Sequence, residues 1–477
     1  MTSPQNFKYL DDLIHSDAEE IILDCDIVLE GMEEYSYYEG ISLDVDDLVI
    51  DGNGHYIDAC KKTRIFNCTA SNITIRNITL KNGFNNESGG AVYIEEGELT
   101  IIESTVTGSF SGEDGGAVHN DEGEMTIEKS IFSQNLAEDH GGAVNNWGRL
   151  DCIESTFNSN RANEGGAIFN DDGELVIKET TLYQNKANKG GALFNNDGGE
   201  LTITKSMLKE NSAENGGAIL NENCEIDIVD TEFDSNLAFE DGGAIHACGE
   251  LSVTKSTFKG NTANRDGGAI LNYKGDLSFK ESSFESNLAK RNGGAINNFD
   301  CEMTISQSRI ADNSAENGGA ILNENCEINI VDAEFDSNLA FGDGGAIHAG
   351  GELSVTKSTF KGNTANRDGG AILNYKGDLS FKESSFESNL AKRNGGAINN
   401  FDCEMTISQS RIADNSAENG GAVYNDRSAL DISESILSEN TADIHGGAIW
   451  INKLKDYESD NSTMKDNEPD DIYNGSD

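Results

Sequence analysis

Gly190-Gly191-Ala192-Leu193, followed by the alternating run Glu200-Leu201-Thr202-Ile203-Thr204, is one copy of the motif that decides the fold. Its first part, Gly-Gly-Ala followed by Ile, Val or Leu, occurs fifteen times, and successive copies begin 24 to 26 residues apart. The copies begin at residues 89, 115, 141, 165, 190, 216, 242, 267, 293, 318, 344, 369, 395, 420 and 446. A fixed period of this length is typical of a solenoid, in which each repeat packs mainly on its neighbours.

The rest of each repeat predicts short strands joined by turns. The alternation of polar and apolar residues is typical of a half-buried strand, and a third segment, often Phe-x-x-Asn, follows it. The turns carry Gly, Asn and Asp, which tolerate positive φ. A helical alternative fails because no apolar stripe persists for three helical turns and because glycine recurs too often. Pro4 and Pro469, the only prolines, lie outside the repeats.

The sequence therefore predicts an all-β fold, a right-handed parallel β-helix (β-solenoid) of about 15 rungs of roughly 25 residues, where a rung is one complete turn of three strands. The right-handed sense follows from the usual chirality of parallel crossovers. The Asn of Phe-x-x-Asn recurs from Asn135 to Asn440. We expect these side chains to point inward and to hydrogen-bond from rung to rung, since a buried amide without partners is costly.

Three regions are expected along the chain. Residues 1–88 form an N-terminal cap and the first solenoid turns, residues 89–451 form the repeats, and residues 452–477 form a C-terminal cap and acidic tail. The segment from Phe7 to Leu29 is expected to be a short helix or a strand-capping segment.

Composition limits the partners. The formal charge is −51, from 34 basic and 85 acidic residues, which argues against nucleic acid and against anionic lipid surfaces. One interpretation of such a charge is solubility, because copies of the protein repel one another. No cofactor is predicted, although rows of carboxylates are compatible with Ca²⁺. No signal peptide and no membrane-spanning apolar run is visible, which leaves both export and a cytoplasmic location open.

The nine cysteines do not form an obvious disulfide framework. Cys301 and Cys326 are expected on adjacent rungs, with Cα atoms roughly 4.8 Å apart, which is within disulfide range. Parallel Cβ vectors would aim the two sulfurs poorly. Two alternatives stay open, a disulfide or two small buried side chains. No spacing typical of a zinc site occurs.

The paired motifs resemble the repeat of chlamydial polymorphic outer-membrane proteins. A further likeness is to adhesin-like surface proteins of methanogenic archaea, in the entry block at residues 48–59 (LVIDGNGHYIDA), in Thr63-Arg64-Ile65-Phe66, and in the exit at residues 467–473 (NEPDDIY). This resemblance implies an extracellular or cell-surface adhesin that binds glycans or surface proteins of another cell.

Enzymes form the alternative class, since right-handed β-helices also include pectate lyases and polygalacturonases. Such reactions need carboxylates for calcium binding or acid–base chemistry, with Arg, Lys or His nearby. We expect them also to need a groove that interrupts the repeat. The period is unbroken, and Asp51 and His55 are the nearest approach to a catalytic pair. From this pattern we predict that the chain is not an enzyme; a polysaccharide lyase or hydrolase of the pectin-lyase type is the alternative.

The candidate binding site is the residue after the Ile, Val or Leu of each repeat, which strand alternation places on the outside. We call these positions the outward column. Its aromatic and histidine members could stack on sugar rings or bind a protein, or could simply stack on one another and stabilise the sheet. The predicted binding residues are Tyr93, His119, Phe169, Phe194, His246, His348, Tyr424 and Trp450.

A duplication is visible in the chain. Residues 213–314 recur as residues 315–416 with four differences: Asp227/Asn329, Thr231/Ala333, Glu240/Gly342 and Cys248/Gly350. The duplicated unit of 102 residues spans four rungs, so every inward column stays in phase. In a solenoid of additive rungs, either copy is therefore expected to be removable.

Overall fold

A computed structural model describes residues 3–16, 18–452 and 457–475. The chain forms two compact units, Met1–Leu237 (unit 1) and Ala238–Asp477 (unit 2). Each unit is an all-β parallel solenoid, and the chain has about 17 turns. The fold class predicted from the sequence is confirmed. The number of turns exceeds the fifteen Gly-Gly-Ala motifs because parallel strands before the first motif and after the last one also pair.

One rung contains four strands rather than the three expected. In unit 1 a typical rung has Leu193–Asn196, Glu200–Thr204, Met207–Lys209 and the two-residue strand Ser212–Ala213. We call the sheets built by these successive strands sheets I, II, III and IV. Neighbouring rungs pair in parallel and in register, as in Leu201 with Ile226. The sequence did not reveal sheet IV because two residues are too few to show an alternating pattern.

The strands of unit 1 follow this plan. Sheet I contains Ile41–Leu43, Phe66–Cys68, Val92–Glu95, Val118–Asp121, Val144–Asn146, Ile168–Asp171, Leu193–Asn196 and Ile219–Glu222. Sheet II contains Glu20–Ile22, Val49–Asp51, Ile73–Arg76, Glu98–Ile102, Glu124–Glu128, Arg149–Ile153, Glu174–Lys178, Glu200–Thr204 and Ile226–Val229. Sheet III contains Ile27–Val28, Tyr56–Asp58, Thr79–Lys81, Thr105–Thr107, Ile131–Ser133, Thr156–Asn158, Thr181–Tyr183, Met207–Lys209 and Glu232–Asp234. Sheet IV contains Phe84–Asn85, Phe110–Ser111, Leu136–Ala137 and Ser212–Ala213.

Unit 2 repeats the arrangement. Sheet I contains Ile245–Cys248, Ile270–Tyr273, Ile296–Phe299, Ile321–Glu324, Ile347–Gly350, Ile372–Asn374, Ile398–Phe401, Val423–Asp426, Ile449–Asn452 and Ile472–Asn474. Sheet II contains Leu251–Thr254, Leu277–Lys280, Met303–Ser306, Ile328–Val331, Leu353–Thr356, Leu379–Lys382, Met405–Ser408, Leu430–Ser433 and Tyr457–Asp460. Sheet III contains Thr257–Lys259, Ser283–Glu285, Arg309–Ala311, Glu334–Asp336, Thr359–Lys361, Ser385–Glu387, Arg411–Ala413, Ile436–Ser438 and Thr463–Lys465. Sheet IV contains Thr262–Ala263, Leu288–Ala289, Ser314–Ala315, Leu339–Ala340, Thr364–Ala365, Leu390–Ala391, Ser416–Asn419 and Thr441–His445.

The entry segment combines helix and strand. The helix Phe7–Ile14 begins at Asn6, whose side chain accepts a hydrogen bond from the backbone N–H of Tyr9 at 3.1 Å. Its buried face packs at the start of unit 1, and a second, single-turn helix spans Glu33–Ser36. Gln5 already pairs in parallel with Ile27, and the strand Glu20–Ile22 pairs with Val49–Asp51. In the predicted C-terminal cap, residues 453–456 and 476–477 lie outside the described residues, and the division at residues 88 and 451 stays a prediction.

The paired glycines allow adjacent rungs to approach closely. Gly216 has φ of +62°, a conformation that favours glycine. The second glycine of a pair, such as Gly191, has no room for a Cβ atom because the carbonyl of Gly217 in the next rung fills that space. The motif is therefore dictated by backbone packing, and its recurrence is no evidence of a ligand.

The predicted asparagine ladder is confirmed. The Asn135 side-chain amide donates to Asn160 Oδ1 at 3.1 Å, and Asn160 donates to Asn185 Oδ1 at 3.1 Å. Each amide also donates to a backbone carbonyl of the preceding rung, such as Asn160 to Phe132 at 2.9 Å. In unit 2 the same pattern joins Asn313 to Asn338. Each side chain thus depends on both neighbouring rungs.

A second buried asparagine ladder lies at the end of the sheet I strands. In unit 1 it joins Asn120, Asn146, Asn170, Asn195 and Asn221 through amide contacts of 2.7–3.0 Å. Unit 2 holds a shorter stretch from Asn272 to Asn323 and another from Asn374 to Asn425. The sequence did not indicate this ladder because alanine replaces asparagine at Ala247 and Ala349.

Candidate functional site

The outward column lies on sheet I, where its members face their counterparts on adjacent rungs. Tyr93 pairs with His119 in register, and their rings stack with centroids 5.0 Å apart. Phe169 and Phe194 meet edge to face at 5.2 Å. In these two pairs the rings contact each other, as mutual stacking within the sheet would have it.

The expectation of an open outward face is wrong for most predicted members in unit 1. His119, Phe169 and Phe194 are only 4%, 4% and 2% exposed. Two residues that immediately precede a Gly-Gly pair, His140 and Lys189, lie over Phe169 and Phe194, and we call this position of the repeat the cover row. The His140 ring lies 4.4 Å from that of Phe169, and Lys189 Nζ lies 5.4 Å from the Phe194 ring. The alternation of residues in a strand shows which side chains point away from the core. It does not show whether side chains of a turn, such as His140 and Lys189, lie over them.

The cover row of unit 1 is held by ion pairs between successive rungs. His140 Nδ1 lies 2.7 Å from Asp114 Oδ1, and its Nε2 lies 3.4 Å from Glu164 Oε2. Lys189 Nζ lies 3.0 Å from the other Glu164 oxygen. Hydrogen bonds to Asp114 and Glu164 raise the pKa of His140 to about 10. The hydrogen bond from His140, together with the Lys189 ammonium, lowers the pKa of Glu164. The cover row of unit 1 is therefore a chain of ion-paired side chains. Binding by Phe169 and Phe194, which lie beneath it, stays a prediction.

His246 and His348, two predicted binding residues of unit 2, are largely enclosed. The Nδ1 atom of each is buried without a hydrogen-bond partner. Burial lowers the pKa of both side chains, that of His348 to about 4. His348 lies in register between Leu322 and Leu373, and its ring meets that of Tyr375 edge to face at 5.4 Å.

His348 is expected to make unit 2 sensitive to acid. Its folded-state pKa is below the usual 6.5, so the stabilisation is complete above pH 6.5 and is lost as the pH falls to about 4. The loss amounts to about 3 kcal/mol for this residue. Urea unfolding at pH 7 and pH 4 measures the effect. In His348→Leu, which copies its neighbours in the column, the difference between the two pH values should shrink; an unchanged difference would contradict the assignment.

Tyr424 and Trp450 are the half-exposed members of the column in unit 2. Their rings stack at 4.1 Å with an interplanar angle of 7°. The structure adds Tyr473, which pairs with Trp450 in register and stacks on His445 at 4.0 Å. Tyr473 was missed because no Gly-Gly-Ala motif precedes it.

A groove outside the predicted column lies in unit 1. It has a volume of about 530 Å³ and follows sheet IV across four rungs. Its lining consists of Phe110, Leu136, Ala137, Glu138, Asp139, Arg161, Ala162, Asn163, Lys186, Ala187 and Asn188. We call it the axial groove, because equivalent positions of successive rungs line it.

The axial groove combines apolar, amide and charged groups. Phe110 stacks on Phe84 at 5.6 Å, and Leu136 is 39% exposed. Arg161 pairs in parallel with both Leu136 and Lys186, which puts two cations at equivalent positions of adjacent rungs. Neither cation forms an ion pair with any residue that the structure describes. The sequence gave no sign of this groove, since sheet IV itself was not predicted.

A second cleft, of about 620 Å³, lies in unit 2 along the turn between sheets II and III. Its cations are already paired with carboxylates. Lys255 Nζ lies 3.8 Å from Glu281, and Arg309 lies 3.0 Å from Asp336. Lys357 Nζ lies 3.9 Å from Glu383. The axial groove is therefore the better candidate for an anionic ligand.

The Asp51 and His55 side chains are held in separate contacts. Asp51 lies 3.0 Å from Arg76 Nε, and His55 Nδ1 lies 3.0 Å from Asp26 Oδ1. Within residues 3–16, 18–452 and 457–475 there is no cluster of three or more His, Cys, Asp or Glu side chains suited to a metal ion. No helix in these ranges is long and apolar enough to cross a membrane. Binding of Ca²⁺ stays a prediction.

Three segments of the chain match the model of the Chlamydia polymorphic membrane protein repeat, at residues 154–171, 255–273 and 357–375. No curated protein matches the chain significantly. Among solved structures, the PL6 family alginate lyase AlyGC is similar over 98% of this chain and 99% of its own, with 8% identity and a TM-score of 0.36. The periplasmic alginate epimerase AlgG matches 97% of this chain and 84% of its own, with 10% identity and a TM-score of 0.21.

The prediction that the chain is not an enzyme is corrected at this point. Both named neighbours are enzymes, a lyase and an epimerase. The prediction assumed that a site needs a break in the repeat, whereas two clefts form here without one. At these identities and TM-scores the neighbours transfer neither a substrate nor a catalytic residue to this chain.

Proposed function

We propose that this protein is an adhesin-like solenoid that binds an acidic polysaccharide in the axial groove of unit 1. The observation that carries the proposal is the pair of unpaired cations, Arg161 and Lys186, in a groove that also offers apolar and amide groups. The volume of about 530 Å³ is within the usual range of ligand sites.

The lining groups complement the parts of a sugar chain. Phe110 and Leu136 offer apolar surface to the C–H groups of a sugar ring. The Asn163 and Asn188 side chains, joined by a 2.7 Å hydrogen bond, retain donors and acceptors for hydroxyl groups. Arg161 and Lys186 can bind carboxylate or sulfate through charge-assisted hydrogen bonds.

The direction of the groove favours a linear ligand. Three rung-to-rung steps of about 4.8 Å separate the rung of Phe110 from that of Lys186, so the lined length is roughly 14 Å. A linked series of sugar rings can follow equivalent positions over that length. A compact molecule would contact only part of it.

The charge of the chain sharpens the proposal. With a formal charge of −51, the protein as a whole repels an anionic polymer. Binding therefore needs cations without carboxylate partners beside groups that contact the sugar, as Arg161 and Lys186 lie in the axial groove. The same charge disfavours nucleic acid, which needs extended Lys and Arg surfaces.

Display outside the cytoplasm is the second part of the proposal. The matching repeat belongs to a membrane-protein family of Chlamydia, which supports a surface or periplasmic location. The likeness of residues 48–59 and 467–473 to methanogen adhesins supports the same setting. The partner would then be a glycan, or a glycan-bearing protein, on another cell.

Cleavage of the same polysaccharide is the second candidate function. The observation that favours it is the presence of carboxylates, Glu138 and Asp139, in the groove that holds Arg161 and Lys186. A lyase or hydrolase needs acid–base groups beside a group that neutralises the sugar carboxylate. Binding and cleavage would share one groove, so one experiment separates them.

The double variant Arg161→Ala/Lys186→Ala should weaken binding of a uronate-containing polysaccharide by at least about tenfold, because a hydrogen bond to a charged group contributes about 1.5–3 kcal/mol. Binding of wild type and variant to immobilised uronate-containing, sulfated and neutral polysaccharides measures the effect. Lys178→Ala is the matched control, because Lys178 is exposed at the end of a sheet II strand outside the groove.

The outcomes of this experiment are distinct. Equal binding of neutral and acidic polymers, or unchanged binding by the double variant, would contradict the proposed site. Shorter oligosaccharides after incubation with wild type, absent with the double variant, would assign cleavage to the groove. A polymer recovered at full length would assign binding alone.

A further inference from the structure

Cys301 and Cys326 face each other on adjacent rungs of unit 2, at the turn after sheet I. Their sulfur atoms are 3.9 Å apart, and both cysteines are free thiols. The backbone N–H of Cys301 donates to Cys326 Sγ at 3.1 Å. This is close contact without a covalent bond, and neither alternative from the sequence, a formed disulfide or inert filling, fully describes it.

The duplication alone brought these two thiols together. Cys301 is the first-copy counterpart of Cys403, and Cys326 is the second-copy counterpart of Cys224. The rung of Cys301 is the last of copy one, and the rung of Cys326 is the first of copy two. Only at this junction does a cysteine at this position follow another on the next rung. At the end of copy two, Cys403 instead donates its N–H to Ser428 Oγ at 3.0 Å, which shows what the position looks like without a second thiol.

The two thiols differ in exposure and in acidity. Cys301 is partly exposed, whereas Cys326 is 4% exposed. The Cys326 thiol lowers the pKa of Cys301 by donating a hydrogen bond to its sulfur, and the same contact raises the pKa of Cys326. A partly exposed thiol that ionises more readily is the expected nucleophile of such a pair.

We propose that Cys301 and Cys326 form a reactive dithiol site that exchanges with small-molecule disulfides and closes into a disulfide bridge. This modification site is independent of the polysaccharide-binding proposal. The Cys301 thiolate attacks one sulfur of the small disulfide, forming a mixed disulfide and releasing one thiolate. The Cys326 thiolate then attacks Cys301 Sγ and releases the second. The two cysteines are oxidised, and the small disulfide is reduced to two thiols.

The backbone permits this closure. Adjacent rungs put the two Cα atoms roughly 4.8 Å apart, within the range found for disulfides. The sulfurs must approach by about 1.9 Å to reach a bond length of about 2.05 Å. Side-chain rotation at a turn can supply much of that movement, because Gly275 and Gly351 occupy the equivalent positions of the flanking rungs and add no side chains.

The test uses the full-length chain with Cys60→Ser, which removes the exposed cysteine of unit 1. Oxidised glutathione is added to the reduced protein, and free thiols and peptide masses are measured. We expect the loss of two thiols per chain and a Cys301–Cys326 peptide link without attached glutathione. Cys326→Ser should instead retain glutathione on Cys301, and Cys301→Ser should leave Cys326 unmodified.

Cys403→Ser is the matched control, since Ser428 already occupies the equivalent position of the next rung. With Cys403→Ser added, the Cys60→Ser protein should still form the Cys301–Cys326 link. A stable glutathione adduct on Cys301 in the parent would overturn the proposal, as would equal modification of Cys301 and Cys403 without any link. Circular dichroism of each variant establishes that the comparison is between folded proteins.

Discussion

Asn338→Ala is expected to lower the free energy of unfolding by roughly 3–5 kcal/mol, because each buried polar group left without a partner costs about 1–3 kcal/mol. Asn338 Oδ1 accepts from both the backbone N–H and the side-chain amide of Asn313, each at 3.1 Å. Its own amide donates to Ile310 and to Asn363 Oδ1, each at 3.0 Å. The substitution removes these side-chain contacts while the neighbouring rungs stay buried.

Asn329→Ala is the control for this prediction. Asn329 is exposed in the strand Ile328–Val331 of the same unit, and its counterpart in the first copy is Asp227. Its loss should change stability by less than about 0.5 kcal/mol. Urea denaturation of both variants gives the comparison, and similar stabilities would show that the ladder contributes little.

Deleting residues 315–416 is expected to leave a folded protein. The deletion joins Ser314 to Ala417 and recreates the sequence of the existing Ser314–Ala315 step. The last rung of copy one has the same sequence as the last rung of copy two. After the deletion it contacts the rung that follows residue 416, and the intact chain already contains that same contact. Rung and neighbour contributions are nearly additive in a solenoid, so a cooperative thermal transition should remain.

The matched control for this deletion is the removal of residues 315–327, about half a rung. That cut places strand residues against turn residues and moves inward side chains out of their columns. We expect loss of the β signal in circular dichroism, aggregation, or both. If the 102-residue deletion also unfolds while its sequence at the junction is native, the additive account of the rungs is wrong.

The sequence predicted those parts of the fold that repeat with little variation. The column from Asn135 to Asn440 is almost uninterrupted, so its inward position and its hydrogen bonds followed from periodicity and the cost of buried amides. The second ladder escaped notice because Ala247 and Ala349 interrupt it. Sheet IV escaped notice because its strands are mostly two residues long.

The site was harder to predict than the fold. Periodicity placed Phe169 and Phe194 on the outer side of sheet I, but it could not place His140 and Lys189 over them. The path of a turn depends on contacts between rungs, such as those of His140 with Asp114 and Glu164. Arg161 and Lys186 occupy positions held by Phe and Leu in preceding rungs, and only the pairing of the rungs shows that they are adjacent.

The matched interfaces between rungs have a consequence for how such a chain changes over generations. Unequal crossing-over between near-identical repeats inserts or removes whole rungs, and additive rungs predict that a seam which keeps them in phase still folds. At a seam, however, side chains that were distant become neighbours, as Cys301 and Cys326 did. A solenoid of this kind can therefore acquire a new pair of reacting groups in one genetic event, before any point mutation at either position.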